Sequence, residues 1–382
     1  MKGSMISVLE ISYKTVMKNI LFVCDYMPLY SGNFIKSIYA LKIELERQHC
    51  NCFYCFPKQV ETRDWKHRFD NNLVFYLDFG GRYLNFISKI SKIVKVHDID
   101  IVHTHFLSPN KAKLIPYVCP KVKVFVHRHS DFSSGRLSCK DQIKQYLMYH
   151  FLVSRIRFLC VSNEFVESNP QNSVWIPNAV VCDETKKDIC QIADFRKKHH
   201  IADDEILVEL FGWSPKVKGV DIAVEAVKKA NQDGGCYKLM IVYGINHDEP
   251  QMKKYIAEHT SCNGNESFLV YVPPIEDVYL YHYSADILLS ASRSEGFPYS
   301  VIEMLSLGKR CVISSIPGTL WAKNYPCVTT FCSEDSSDCK EAIMRAAKLP
   351  SYNMEVKKMV SNQYAIGNWV KAVISAYRGE VK

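Results

Sequence analysis

Short apolar runs recur along the chain, and polar or turn-forming residues separate them. In the first half such runs lie at 19–26, 50–57, 72–79, 99–106, 121–129 and 157–163, with helical spacing between some of them at 34–48, 83–97 and 140–156. Strand and helix patterns that alternate in this way indicate βαβ units and a parallel sheet. The apolar runs are continuous, as is typical of strands that are covered on both faces.

The same pattern starts again after a polar stretch at 182–191. Apolar runs follow at 206–213, 238–244, 267–273, 285–292, 309–315 and 326–331, and helical spacing at 219–232, 301–308 and 362–379. We therefore predict an α/β chain of two Rossmann-like, doubly wound domains facing each other across a cleft. The expected limits are a dispensable leader at 1–16, domains at 17–185 and 186–365, and a last helix at 366–382 that packs back on the first domain.

Composition agrees with a globular protein of two domains. At 382 residues the chain exceeds one ordinary core, and its 47% hydrophobic and 23% charged residues are usual for a soluble fold. No run approaches the ~20 apolar residues of a transmembrane helix. The N-terminus lacks the apolar segment and cleavage site of a signal peptide, so we expect a cytoplasmic protein.

The cysteines also favour a reducing compartment. There are 15, an odd number without repeated spacing, and many stand in apolar runs where a free thiol acts as a small hydrophobic side chain. Cys50, Cys52 and Cys55 are close enough in sequence to suggest a metal site. No second pair of cysteines or histidines at zinc spacing accompanies them, so we interpret them as buried thiols of a strand.

The net charge of +8 is unevenly distributed. Residues 1–180 hold 24 Lys and Arg against 14 Asp and Glu, a net +10, and residues 181–382 hold 24 against 26, a net −2. A basic first half indicates an anionic partner such as lipid headgroups, a pyrophosphate-linked molecule or nucleic acid; charge for solubility is the alternative. We assign the many Tyr and Phe residues to the core and a cleft lining, so nucleic acid is not expected.

The stretch SRSEGFPYSVIEML, at 292–305, places two carboxylates around a strand-turn-helix element. Glu295 and the turn Gly296-Phe297-Pro298 follow an apolar strand, and Glu303 lies on the helix after the turn. The start of a helix offers unpaired N–H groups to an anion, and a carboxylate can accept hydrogen bonds from two hydroxyls of a diol. The alternative is that Glu303 merely complements the helix dipole.

Residues 294–318, SEGFPYSVIEMLSLGKRCVISSIPG, resemble the signature of glycosyltransferase family 4. Members of that family are retaining enzymes with nucleotide-sugar donors and the GT-B architecture of two Rossmann-like domains. Further segments are similar to family elements in the same order along the chain: 28–48, 100–106, 124–132, 174–180 and 210–226. The resemblance covers about residues 17–375. It implies that the first domain binds the acceptor and the second binds the nucleotide sugar.

The resemblance implies roles for the residues that match it. Glu303 is expected to bind the ribose hydroxyls, and Glu295 to lie beside the transferred sugar as a nucleophile or as an anchor for sugar hydroxyls. Lys218 matches a lysine that holds the donor diphosphate. Trp213 stands where a second cation is usual, and Lys216 is the candidate substitute. The other expected donor contacts are Gly296, Phe297, Pro298, Gly318, Gly32 and Asn178.

Histidines at two strand ends are candidates for the reaction centre. His129 is expected to hydrogen-bond the transferred sugar or a phosphate, because it lies nearest the carboxyl end of its strand. His127, His105 and His103 compete for that role or serve the acceptor, although His127 and His129 also fit a packed pair on one strand face. No Asp-x-Asp element ends a strand, so we expect protein cations in place of a metal, and no cofactor.

The function that the resemblance implies is transfer of a sugar, with retention of configuration, from a UDP- or GDP-sugar to a glycan or a lipid-pyrophosphate-linked saccharide. Such an enzyme would serve cell-surface polysaccharide or glycoconjugate synthesis, peripheral on an anionic membrane surface. A non-catalytic accessory subunit of a partner glycosyltransferase is one alternative, because Trp213 and Ala179 depart from the family pattern. A nucleotide-sugar epimerase is the other. Walker, G-x-G-x-x-G and G-x-S-x-G motifs do not occur, which argues against a kinase, a dehydrogenase and a hydrolase.

Overall fold

The first half of the chain forms a seven-stranded parallel sheet in the computed structural model, which describes residues 18–129, 155–181, 189–244 and 248–380. The strand order is β3-β2-β1-β4-β5-β6-β7. The strands are β1 (Asn19–Cys24), β2 (Asn51–Pro57), β3 (Val74–Leu77), β4 (Ile101–His105), β5 (Lys123–Arg128), β6 (Ile156–Cys160) and β7 (Ser173–Trp175). The order reverses direction between β1 and β4, which marks a topological switch point.

Helices cover both faces of this sheet. They are α1 (Gly32–Arg47), α2 (Tyr83–Val96), α3 (Pro109–Ala112), α4 (Ile115–Val118) and α5 (Asn163–Ser168), with 3-10 turns at Lys58–Thr62, Asp64–Arg68 and Asn71–Leu73. Successive β1 side chains face opposite sides: Phe22 packs in the core on the α1 side, and Leu21 and Val23 in the core on the α2 side. Burial on both faces explains why the strand sequences are continuously apolar.

The second half repeats this plan with six strands in the order β10-β9-β8-β11-β12-β13. They are β8 (Ile206–Phe211), β9 (Tyr237–Val242), β10 (Leu269–Val272), β11 (Ile287–Ser290), β12 (Arg310–Ser314) and β13 (Val328–Phe331). The helices are α6 (Ile189–Lys198), α7 (Val220–Gln232), α8 (Glu249–His259), α9 (Tyr279–Ser284), α10 (Tyr299–Ser306), α11 (Ser336–Ala347), α12 (Met354–Gln363) and α13 (Ile366–Arg378), with a 3-10 turn at Leu320–Ala322. Here the order reverses between β8 and β11.

The last helix packs on the first domain. Trp369, Val373 and Tyr377 of α13 belong to the same buried cluster as Phe22 of β1. The chain crosses between the domains twice at one place, where the Val180 N–H donates to the carbonyl of Tyr364 at 2.9 Å. Residues 1–16, the leader of the sequence analysis, lie outside the described residues, and the exact domain limits stay a prediction.

The prediction of two doubly wound domains is confirmed. The structure adds elements that the apolar pattern did not indicate, including the three-residue strand β7 and the helices α8, α11 and α12. The predicted helix at 362–379 is in fact the end of α12 followed by α13, separated at Tyr364 and Ala365. Most of the predicted helix at 140–156 lies outside the described residues.

The cysteines in and directly before β2 divide between the two faces of the first sheet. Cys50 and Cys52 belong to the buried cluster on the α1 side, and Cys55 belongs to the cluster on the α2 side. The three thiols therefore cannot share one ion. Burial raises the pKa of Cys52 to about 12, as expected for a thiol used as a hydrophobic side chain.

None of the helices in the described residues is both long and apolar enough to span a membrane.

Candidate active site

Two loops meet at the switch point of the second sheet. One follows β8 and runs from Gly212 to Gly219; the other follows β11 and carries Glu295. Because β8 and β11 are neighbours in the sheet, their carboxyl ends bring the two loops together, at the place where open α/β sheets bind ligands. Lys218 of the first loop and Glu295 of the second are thus neighbours in space although 77 residues apart in sequence.

Gly219 allows the two loops to approach. Its φ is +64°, and a Cβ at this position would collide with the carbonyl oxygen of Ala291. Arg293, in the second loop, also holds the first loop in place. Its guanidinium donates to both carboxylate oxygens of Asp221, at 2.9 and 2.7 Å, and to the carbonyl of Lys216 at 2.6 Å. The hydrogen bond to Asp221 raises the pKa of Arg293, so this residue is permanently charged.

Lys218 and Glu295 form an ion pair. The Lys218 ammonium donates to Oε1 of Glu295 at 2.5 Å, and the Ser292 hydroxyl donates to the same oxygen at 2.7 Å. Both charged side chains are only 12–13% exposed. The ammonium also lies 5.1 Å from the ring centroid of Trp213, in cation–π contact. Trp213 therefore supports Lys218 where the family pattern has a second cation.

Lys216, the candidate substitute for that cation, is exposed on the same loop. In this structure its backbone carbonyl, rather than its ammonium, makes the described contact, with Arg293. Its role toward a diphosphate stays a prediction.

The turn after Glu295 packs against the first domain. A Cβ at Gly296 would collide with the carbonyl oxygen of His129, and one at Gly318 with the carbonyl oxygen of Glu295. These glycines therefore let three backbone segments meet: the end of β5, the turn at 295–298 and the loop after β12. Pro298, which is buried, ends the turn directly before α10.

Phe297 and Asn178, two of the expected donor contacts, hold this turn in place from the protein interior. The Phe297 ring is buried and stacks on Trp321 at a centroid distance of 4.2 Å, so it anchors the turn in the core instead of facing the cleft. Asn178 is also buried, and its Nδ2 donates to the carbonyl of Phe297 at 2.7 Å. Packing accounts for the position of both side chains, and a donor contact at either residue stays a prediction.

Glu303 lies at one end of a buried chain of charged groups. His282 of α9 bonds Oε2 of Glu303 through Nε2 at 3.2 Å and Oε2 of Glu209 through Nδ1 at 2.8 Å. Burial alone lowers the pKa of His282, but the carboxylates of Glu209 and Glu303 outweigh burial and raise it to about 10. The imidazole is therefore protonated at neutral pH and donates to a carboxylate on each side. Lys309 fixes the end of α9 by donating to the carbonyl of His282 at 2.8 Å.

The loop before α1 reaches the second domain. Asn33 Nδ2 donates to Oε1 of Glu303 at 2.5 Å, and the Ser31 N–H donates to Glu276 at 3.1 Å. The Ser31 hydroxyl donates to Glu276 as well. Gly32, between these two residues, has a φ of +53°, which a residue with a side chain rarely adopts. The glycine loop thus contacts the Glu303 side of the cleft, and its role toward a diphosphate stays a prediction.

The four histidines form a stack on one face of the first sheet. His105 of β4 and His127 of β5 are direct partners in the sheet, with ring centroids 4.9 Å apart, and His103 and His129 extend the stack at its two ends. His129 lies at the cleft end: its Nε2 contacts Nδ1 of His105 at 3.0 Å, and its ring stacks on Phe106 at 4.0 Å.

The other end of the histidine stack is covered by helix α13. His103 Nδ1 contacts the Tyr377 hydroxyl at 2.6 Å, and His127 stacks on Trp369 at 5.9 Å. His103, His105 and His127 are at most 2% exposed. This burial corrects the expectation that they serve the acceptor, because α13 and the neighbouring rings cover them. Burial lowers the pKa of His127 to about 3, and burial, with His127 and His103, lowers the pKa of His129. All are neutral near pH 7.

These histidines are also the natural candidates for metal ligands. Nitrogens of His103, His105 and His127 come within 4.8 Å of one another. The ring planes of His127 lie only 18° from those of His103 and 25° from those of His105, however. The rings of His103 and His105 are tilted by 41° to each other. Buried, largely stacked rings of this kind are also typical of a packed core, and the expectation of protein cations in place of a metal stays a prediction.

The sequence did not indicate several residues of the site. Arg293, His282, Asn33 and Glu276 each act through a partner far away in sequence; Asn33 and Glu303, for example, are 270 residues apart. Arg293 alone had a local signal, since it stands two residues before Glu295.

Two family models match the chain, one in each half. The family model described as "Glycosyl transferases group 1" matches residues 191–358, and the model described as "Glycosyltransferase Family 4" matches residues 36–182. No curated protein matches the sequence.

Solved structures share the fold over nearly the whole chain. A glycosyltransferase from Rickettsia africae is 16% identical with a TM-score of 0.76, and the match covers 95% of this chain and 98% of that one. HepE of Anabaena, solved with UDP and glucose, is 13% identical with a TM-score of 0.74, covering 95% and 100%. A UDP-GlcNAc 2-epimerase from Neisseria meningitidis, bound to UDP-GlcNAc, is 16% identical with a TM-score of 0.63, covering 94% and 99%. At these identities the likeness is one of fold. Together with the two family models, it identifies the chain as a glycosyltransferase with the GT-B architecture.

Proposed function

We propose that this enzyme transfers a sugar, with retention of configuration, from a UDP- or GDP-sugar to a glycan or a lipid-pyrophosphate-linked saccharide. The observation that carries the proposal is the ion pair of Lys218 and Glu295 at the switch point of the second sheet, opposite His129 of the first domain. A cation and a carboxylate thus lie next to the backbone of His129, where two sheets present their carboxyl ends. The structure of Anabaena HepE, solved with UDP and glucose, supports a nucleotide-sugar donor.

Lys218 would leave Glu295 for the donor diphosphate. Departure of the nucleotide develops negative charge on the diphosphate, and a cation already held in a partly buried site stabilises that charge without reorganising water. The backbone at Gly318, in the loop that covers Glu295, would face the same group. Since the cation is a side chain, the proposal needs no metal and no cofactor.

Glu295 and His129 would contact the transferred sugar from opposite sides of the cleft. Glu295 is ready to accept hydrogen bonds from hydroxyls once Lys218 moves. His129 is neutral because burial lowers its pKa, so it donates or accepts a hydrogen bond without bringing a charge to the sugar. This division suits a reaction in which positive charge develops on the sugar and negative charge on the diphosphate.

Glu303 would bind the ribose hydroxyls. One of its oxygens is held by protonated His282, and the other accepts from Asn33. A diol offers the same kind of donor as the Asn33 amide, so the nucleotide would take the place of that amide. Cell-surface polysaccharide or glycoconjugate synthesis is the role we propose for the product.

The test is a thermal-shift screen against UDP-, GDP- and ADP-sugars, followed by transfer assays on wild type and Glu295→Gln. We expect stabilisation by one nucleotide class and a loss of turnover of about 10²-fold or more in the variant, with nucleotide binding retained. Proton NMR of the product's anomeric signal reports retention or inversion.

Two outcomes would overturn the proposal in different ways. Failure to bind any nucleotide sugar would favour the non-catalytic accessory subunit. Conversion of the nucleotide sugar without an acceptor would favour an epimerase, the activity named for the Neisseria structure.

A further inference from the structure

Three ionisable side chains from three elements form a buried row in the second domain. Glu209 lies on β8, His282 on α9 and Glu303 on α10. Glu209 and His282 are completely buried, and Glu303 is 6% exposed. The two carboxylates bond opposite nitrogens of the ring, Oε2 of Glu209 at 2.8 Å from Nδ1 and Oε2 of Glu303 at 3.2 Å from Nε2. Glu303 is the member of the row that also contacts the first domain, through Asn33.

Stability alone does not account for Glu209. Its Oε1 is buried and has no hydrogen-bond partner among the described residues. Well-packed apolar side chains usually stabilise a core as well as a buried group of charges does, and a buried oxygen without a partner adds a cost. A row of charges that carries this cost indicates a role in the neighbouring site.

That role follows from what a diol requires of a buried carboxyl group. Burial favours the neutral form of such a group, and a neutral carboxyl has a hydroxyl of its own and fewer free acceptor positions. A cation at hydrogen-bond distance favours the ionised form instead. Among the described residues, His282 is the one cation that lies within hydrogen-bond distance of Glu303. Its pKa of about 10, raised by the two carboxylates against the effect of burial, keeps it charged near neutral pH.

We propose that His282, oriented by Glu209, is a positioning residue that makes the donor site selective for nucleotides with intact ribose hydroxyls. The proposal rests on the proposed function, in which Glu303 binds the ribose. His282 holds Oε2 of Glu303, so Oε1 is directed toward Asn33 and is the oxygen that a ribose would take over. Glu209 accepts from the other ring nitrogen and thereby fixes the ring and its proton. Glu209 and His282 are completely buried, so they act on the nucleotide only through Glu303.

The nearest other cation does not replace His282. The Lys309 ammonium donates to the backbone carbonyls of His282 and Tyr283, at 2.8 and 2.9 Å, and to that of Ala285. It thus caps the end of α9, and its charge is directed at the helix rather than at Glu303. Removal of His282 therefore leaves Glu303 without a cationic partner.

The experiment compares nucleotides that differ only in the ribose hydroxyls. Calorimetry with UDP, GDP and the corresponding dideoxynucleoside diphosphates gives, for each protein, the ratio of the Kd of the analogue to the Kd of the ribonucleotide. For wild type we expect a ratio of about ten or more for the preferred base, because the hydroxyls donate to a charged acceptor. In the Glu209→Gln, His282→Gln protein the ratio should fall by about threefold or more, and the Kd of the analogue should stay as in wild type.

Glu209→Gln alone should give an intermediate ratio, because the cation remains beside Glu303 while its orientation is lost. This variant keeps the test decisive where thermal unfolding shows that the double variant does not fold. Ser284→Ala is the matched control. It changes another buried polar residue of α9, whose hydroxyl donates to the carbonyl of Leu280 at 2.7 Å within the helix, and it should keep the wild-type ratio.

Three results would overturn the proposal. A wild-type ratio in both Glu209 variants would show that the row does not position Glu303, and an equal fall in Ser284→Ala would show a general effect of packing. A ratio near one in wild type would mean that Glu303 does not bind the ribose, although the nucleotide binds. Failure of the proposed function is distinguishable from these results, because UDP and GDP would then not bind to any of the proteins.

Discussion

At the scale of single residues, the site depends on charges that lie between partners. Lys218 lies between Glu295 and the face of Trp213, and His282 lies between Glu209 and Glu303. Each is shielded from water, so its interactions are stronger than at a surface. Substitution of either cation leaves a poorly solvated carboxylate behind. For Lys218 we expect mainly a loss of activity, and for His282 mainly a loss of stability.

For Lys218→Met we expect kcat/KM for the donor to fall by about 10²-fold or more, since one donor to developing charge is worth about 3 kcal/mol. Lys216→Met is the comparison variant, because Lys216 is exposed on the same loop and is the candidate for the second cation. A change of less than about threefold in its kcat/KM would mean that Lys218 holds the diphosphate without Lys216. Equal losses in steady-state assays of both variants would mean that Lys216 shares the diphosphate. A loss in Lys216→Met alone would contradict the assignment.

For His282→Gln we expect the free energy of unfolding to fall by about 3–5 kcal/mol, because two buried carboxylates lose the cation between them. Adding Glu209→Gln should restore part of the loss, since it removes one of those charges. Denaturant unfolding of the three proteins measures this. A double variant less stable than the single one would show that Glu209 is not held through His282.

The raised pKa of His282 also gives stability a pH dependence. A group whose pKa is raised on folding binds its proton more tightly in the native state. Its contribution is therefore complete below its unfolded pKa of about 6.5 and is lost as pH rises through about 10. We expect the stability difference between wild type and the Glu209→Gln, His282→Gln protein to shrink from pH 6 to pH 10. A constant difference in urea midpoints over that range would contradict a protonated His282.

At the scale of elements, the sequence predicts the helices and strands that are determined by residues close together in the chain. The strands were recognisable because burial on both faces makes them continuously apolar, as in β1 and β11. The strand β7 escaped because three residues carry no period, and the last two helices were merged because the apolar spacing continues across Tyr364.

In the candidate site, too, only residues with a local sequence pattern could be predicted. Glu295, Glu303 and Lys218 stand in segments with a recognisable local pattern, and the structure brings Glu295 and Lys218 together. Phe297 and Asn178 stand in such segments too, yet they turn inward, because sequence spacing does not distinguish a residue that touches a ligand from one that supports it. Asn33 and His282 had no local signal, since their partners come from other elements.

An element-scale prediction concerns the start of α7. Gly219→Ala places a side chain at a φ of +64° and against the carbonyl of Ala291, so the loop that carries Lys218 must move. We expect a loss of stability of at least about 1–2 kcal/mol and a loss of activity. Gly367→Ala in α13 is the matched control: nothing lies within 4 Å of the added Cβ, and the change should stabilise the protein by up to about 1 kcal/mol. Thermal unfolding with activity assays tests both. An active, stable Gly219→Ala protein would contradict the view that Gly219 is needed for the two loops to approach.

At the scale of the whole molecule, the two domains are joined on both sides of the cleft. Behind it, the crossing at Val180 and Tyr364 and the packing of α13 tie the chain together. Inside it, Asn33 bonds Glu303, the residue we propose for the ribose. Asn33 also accepts from the N–H of Val181, so one side chain links the first domain, the crossing segment and the donor side. Under the proposed function, nucleotide binding and this contact between the domains would compete for one carboxylate oxygen.

This competition predicts that Asn33→Ala binds its nucleotide more tightly than wild type does. The free enzyme would no longer hold Glu303 from the first domain, and a hydrogen bond to a charged group is worth about 1.5 kcal/mol or more, which corresponds to about a tenfold lower Kd. Calorimetry with the nucleotide found in the thermal-shift screen measures the change. Ser31→Ala, which removes only a contact to Glu276, should leave Kd as it is. Weaker binding by Asn33→Ala alone would instead mean that Asn33 itself holds the nucleotide, and that the two domains close on the ligand without exchanging this bond.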